Sequence, residues 1–70
     1  MMRKVWLLHT DVSGVREYLR YGVNGGGVTT WCLHRGEIAC FESKKRAMMI
    51  RNMFDRPSEW AAECFIRKGE

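Results

Sequence analysis

Seventy residues at 8.2 kDa make one small domain, residues 1–70. A chain of this size buries only about 60% of its unfolded surface, which excludes a two-domain enzyme built around a cleft. Three Trp, two Tyr and three Phe within a 46% hydrophobic composition supply a core and exclude disorder, while twelve Lys and Arg against eight Asp and Glu give a net charge of +4 that favours an anionic partner surface.

The opening run Val5-Trp6-Leu7-Leu8 turns polar at His9, short of a signal-peptide core or a membrane span, so no targeting or membrane segment is expected. Lys4 to His9 is apolar at both parities and reads as a central strand. From Asp11 to Gly22, the spacing of Val12, Val15 and Leu19 predicts a helix with Asp11 or Ser13 as N-cap and Gly22 just past its end. A strand is the alternative there, because Val15, Glu17, Leu19 and Tyr21 also alternate and Gly14 weakens a helix. Asn24 to Gly27 reads as a loop.

Val28 to His34 and Glu37 to Glu42 are β-rich runs separated by Arg35-Gly36, the spacing of a tight hairpin. Ser43 caps an amphipathic helix over Lys44 to Phe54, with Ala47, Ile50, Met53 and Phe54 on one face. Asp55 to Ser58 stop it, since the residue before Pro57 is pushed out of the α region. The final segment is ambiguous: Glu59 to Glu63 favour a helix by propensity, whereas Cys64-Phe65-Ile66 followed by basic residues suit a strand, and a strand over residues 61–67 is preferred because a final helix would leave the hairpin uncovered. The order β-α-β-β-α-β predicts an α+β ferredoxin-like plait: an antiparallel sheet with two helices on one face.

The stretch Arg35-Gly36-Glu37-Ile38-Ala39-Cys40-Phe41-Glu42-Ser43-Lys44-Lys45-Arg46-Ala47 resembles the third strand and following helix of the RNA recognition motif. That resemblance implies a ferredoxin-like fold and nucleic acid stacked on aromatic rings of the open sheet face. Here the rings would come from Trp6 and Trp31. As a free-standing small basic domain, the chain also resembles, in type, small phage-encoded inhibitors of host machinery such as anti-CRISPR proteins, which implies occupation of an effector surface.

The chemistry-bearing residues are sparse. Cys32, Cys40 and Cys64 are an odd number without C-x2-C pairing, which argues for reduced thiols in the cytoplasm and against a disulfide framework or structural zinc. His9 and His34 lack the nucleophile, oxyanion loop or paired carboxylates of a catalytic constellation, so no enzyme, metal or cofactor is expected. Asn24 to Gly27 lacks the Lys-Ser or Lys-Thr ending of a phosphate-binding loop.

Three features remain. Lys44, Lys45 and Arg46 oppose the dipole of their own helix, which is either a solvated face or a patch for an anionic partner, with Arg51 nearby. Met48, Met49 and Met53 are core packing or a docking surface. Because a two-layer domain covers one sheet face, Trp6, Leu8, Trp31 and Leu33 are expected as an exposed apolar patch, a partner site or a homodimer seam. The expected function is a non-enzymatic module that docks and modulates or inhibits a protein of nucleic-acid machinery. Direct binding of RNA or single-stranded DNA, with the tryptophans as stacking rings, is the alternative.

Overall fold

The computed structural model describes residues 2–23 and 26–68, so the first half of the expected Asn24 to Gly27 loop lies outside the described residues. Strands dominate: β1 (Met2–Val12), β2 (Val15–Tyr18), β3 (Arg20–Val23), β4 (Thr29–Cys32), β5 (Glu37–Ile38) and β6 (Ala61–Lys68). Between β5 and β6 come one α-helix, α1 (Lys44–Arg51), and a single 3-10 turn at Pro57–Glu59. Two antiparallel three-stranded sheets result, ordered β2-β1-β6 and β4-β3-β5. The expected ferredoxin-like plait is therefore wrong: among the described residues there is one helix rather than two, and no four-stranded sheet.

The error begins at Ser13-Gly14. Both residues have positive φ, 52° and 82°, which closes a two-residue turn and pairs Val12 with Val15 in a hairpin. The alternation from Val15 to Tyr21 thus outweighs the helical spacing, and the segment from Asp11 to Gly22 is β-structure. Leu19 interrupts it and joins the two sheets. Its N–H donates to Leu8 O at 2.8 Å on β1, and its carbonyl accepts from Ala39 N at 2.9 Å beyond β5.

The expected hairpin about Arg35-Gly36 is also corrected. β4 and β5 do not pair with each other; they flank β3 on opposite edges, with Tyr21 facing Trp31 on one side and Glu37 on the other. The chain crosses β3 at Gly22 to get from one edge to the other. A Cβ at Gly22 would sit 2.9 Å from the Arg35 carbonyl carbon, and one at Gly36 would overlap the Tyr21 carbonyl, so two glycines face each other where the backbones touch. Arg20 Nη1 donates to Gly36 O at 3.0 Å and fastens the crossing.

Beyond β5 the chain reaches β1. Trp6 and Phe41 exchange both backbone hydrogen bonds, at 2.8 and 2.9 Å, so the path from β5 leads straight into α1. Ser43 Oγ accepts from Arg46 N at 3.1 Å as the expected N-cap, and the helix ends at Arg51, three residues earlier than its apolar spacing suggests. Ala47 and Ile50 bury against Leu8, Leu19 and Phe41, with Trp6, Trp31, Ala39, Phe54, Trp60 and Ala62 packed around them. Thr10 Oγ1 donates to Glu59 O at 2.7 Å and holds the 3-10 turn against β1. β6 follows as expected, pairing with β1 without a break from Met2↔Lys68 to His9↔Ala61.

The glycine crossing makes a prediction. Gly36→Ala combines a positive φ of 80° with a Cβ that meets the Tyr21 carbonyl, whereas Gly14→Ala has similar φ but open space around the added carbon. In urea denaturation both should lose stability from strain, about 1–3 kcal/mol. Gly36→Ala should lose clearly more, and equal losses would show that the backbone contact does not constrain the crossing.

Candidate functional site

α1 settles which sheet face is open. Alternation on β1 sends Trp6, Leu8 and Thr10 to one side and Val5, Leu7 and His9 to the other. The helix lies on the first side: Leu8 is 0% exposed in the core cluster with Ala47 and Ile50, and Lys44 Nζ stands 5.8 Å over the Trp6 ring. Ala62 faces Leu8 on β6, and this small side chain leaves room for the helix to approach.

The residues expected to meet a partner are thereby divided. Trp6, Leu8 and Trp31 are brought together, but around Phe41 under the helix, with Trp31 6.0 Å from Phe41 and 4.6 Å from Tyr21. Leu33 lies half-buried on the bend after β4, outside that cluster. Arg51 is half-buried too: Nη1 reaches Trp60 O at 3.5 Å and Nη2 reaches Asn52 Oδ1 at 3.2 Å, tying the helix end to the start of β6. Lys44, Lys45 and Arg46 are exposed, with no acidic residue in the first turn to offset them. Met49 and Met53 are also exposed, Met53 at 76%, while Met48 is half-buried.

The opposite face holds a groove of about 680 Å³. Val5 and Leu7 form its floor, Ile38 and Phe65 its walls, and Arg20, Glu37 and Arg67 its polar margin. The floor is buried, yet Phe65 is 50% exposed. The walls Ile38 and Phe65 and the margin residues Arg20 and Glu37 did not stand out in the sequence as site residues. The signal was the doubled apolar parity of β1, and the structure resolves it by packing Ala47 of the helix into the core on the Leu8 side, where Ala62 also packs.

Beside the groove on the same face sits a polar cluster. Glu63 Oε2 accepts from Arg16 Nη1 at 3.1 Å and lies 3.6 Å from His9 Nε2, whose ring meets Tyr18 edge-on at 5.7 Å. Hydrogen bonding with Tyr18 raises the Arg16 pKa, helped by the Glu63 and Asp11 charges and opposed by desolvation.

Cys32 Sγ lies 2.9 Å from Arg35 O and Cys40 Sγ 3.6 Å from Ile38 O, and all three thiols are free. Among the described residues no three His, Cys, Asp or Glu side chains converge as ligands, and no helix is long and apolar enough to cross a membrane. No protein-family model, curated protein or solved structure matches the chain.

The basic helix start carries its own prediction. Lys44 gains from the Trp6 ring, a contact of about 0.5–1 kcal/mol at an exposed site, while Lys45 and Arg46 only oppose the dipole. The double change Lys45→Gln with Arg46→Gln should raise the thermal midpoint slightly, by up to about 1 kcal/mol of stability. Adding Lys44→Gln should cancel part of that gain. A triple variant more stable than the double would show that the dipole cost of Lys44 outweighs its contact with the Trp6 ring.

Proposed function

We propose that this chain is a non-enzymatic binding module that docks a protein partner through the groove on the Val5 and Leu7 face, and that it modulates or inhibits that partner. The observation that carries this is the groove itself: an aliphatic floor between Ile38 and Phe65, with Arg20 and Arg67 at its margin. Such a site takes an apolar side chain and offers charge-assisted hydrogen bonds to carboxylates around it. Lys44, Lys45 and Arg46 add positive charge on the neighbouring layer and would steer the encounter with an acidic surface more than hold it. A protein of nucleic-acid machinery that presents an acidic surface suits this arrangement, as does the target of a phage-type inhibitor of host defence. The three free thiols agree with action in a reducing cytoplasm.

Direct binding of single-stranded RNA or DNA is the second reading, favoured by the Tyr21 and Trp31 ring pair, with Tyr21 exposed on β3 and Arg20 adjacent in sequence. The docking reading stands ahead of it because the groove floor is aliphatic, and bases need rings.

The test compares immobilised wild type with Ile38→Asp and Tyr21→Ala, using cell extract and labelled oligonucleotides. Docking predicts a specific protein captured by wild type and Tyr21→Ala but lost with Ile38→Asp, with a salt dependence shallower than that of oligonucleotide binding. Oligonucleotide binding that falls steeply with salt and disappears in Tyr21→Ala would instead establish the second reading.

A further inference from the structure

β6 is an edge strand: β1 covers one side of it, and among the described residues no strand covers the other. Natural sheets blunt such edges with proline, bulges, short strands or charges that repel a newcomer. Ala61–Lys68 contains neither proline nor glycine, and its pairing with β1 runs unbroken along its whole length. Phe65 and Ile66 stand on opposite faces of it and are both exposed. The charges on β6 are placed as a complementary pair about Phe65, with Glu63 two residues before it and Arg67 two residues after.

We propose that a second copy of this chain adds antiparallel to β6 about a two-fold axis at Phe65. That axis sets Phe65 against Phe65 of the partner subunit, Glu63 against Arg67 of the partner subunit, and the reverse pair by symmetry. Cys64 then meets Ile66 of the partner subunit on the other face. All the backbone groups along the exposed edge gain partners, and an isologous contact of this kind closes at two copies.

The charge pattern selects this axis over its neighbours. Centred on Cys64, the strands would set Glu63 against Phe65 of the partner subunit and Ala61 against Arg67 of the partner subunit. Centred on Ile66, they would set Phe65 against Arg67 of the partner subunit. Only the Phe65 axis matches ring with ring and opposite charges with each other, which is the pairing that stabilises antiparallel strands. The helix-side tryptophans take no part, so this seam differs from the one expected at Trp6 and Trp31. Phe65 and Arg67 also line the groove, so the two grooves of the dimer adjoin across the axis.

The inference goes beyond the docking reading and does not need it, since Ile38→Asp empties the groove without touching β6. Sedimentation equilibrium should show wild type passing from monomer to dimer as concentration rises. Arg67→Glu sets a carboxylate opposite Glu63 of the partner subunit and should weaken association at least tenfold. Glu63→Arg combined with Arg67→Glu in the same chain restores opposite charges across the axis and should recover most of it. Because Glu63 also holds Arg16 and His9, circular dichroism confirms that each variant is folded. A second measurement avoids Glu63 altogether: Phe65→Cys, in a chain with Cys32, Cys40 and Cys64 all changed to Ser, should form an intermolecular disulfide on mild oxidation. A wild type monomeric at every concentration overturns the proposal. So does a dimer indifferent to Arg67→Glu, or one that the double exchange fails to recover.

Discussion

The contact of two glycines, Gly22 under Gly36, sets the course of this chain. Only where neither residue carries a Cβ does the backbone pass over β3 closely enough to lay β4 on one edge and β5 on the other. Once β5 is on the far edge, the following residues reach β1, and Phe41 exchanges hydrogen bonds with Trp6. The helix then begins against β1 and comes down over Leu8. The crossing therefore determines which face of the long first strand is sealed.

That choice of face also decides which side of the first sheet is left open. With Ala47 and Ile50 packed on Leu8 and Phe41, the tryptophans become partly covered core, and Val5 and Leu7 become the floor of an open groove. The polar cluster of Arg16, Tyr18, His9 and Glu63 flanks it and keeps that end of the face hydrophilic. The groove thus has an apolar floor bounded by charged side chains.

Local signals in the sequence were read well where one physical cause acted alone. Ser43 capping rests on a single rule and is present in the fold, whereas the helix ends at Arg51, before any stop at Pro57 comes into play, and the final strand prevails over a competing helical propensity at Glu59 to Glu63. The segment from Asp11 to Gly22 carried two periods at once. Ser13 at positive φ decided between them, and a non-glycine in that conformation is invisible to propensity. The Arg35-Gly36 dipeptide misled for a related reason: the positive φ of Gly36 serves a crossing rather than a hairpin. The groove was half legible, since both parities of β1 are apolar. Which parity the helix would take depended on contacts between distant elements, and no local pattern encodes those.

The long partnership of β1 with β6 also says when this protein can acquire its shape. The two strands lie near opposite ends of the sequence, so even their closest facing residues, His9 and Ala61, are separated by about fifty residues, and such closure is entropically slow. A helix of eight residues has little stability of its own and depends on the sheet beneath it. During synthesis, then, the emerging chain has the β1 and β2 hairpin but no partner for the other edge of β1. The sheet is completed only after the last strand has left the ribosome, and until then Leu7, Leu8 and the tryptophans are within reach of chaperones.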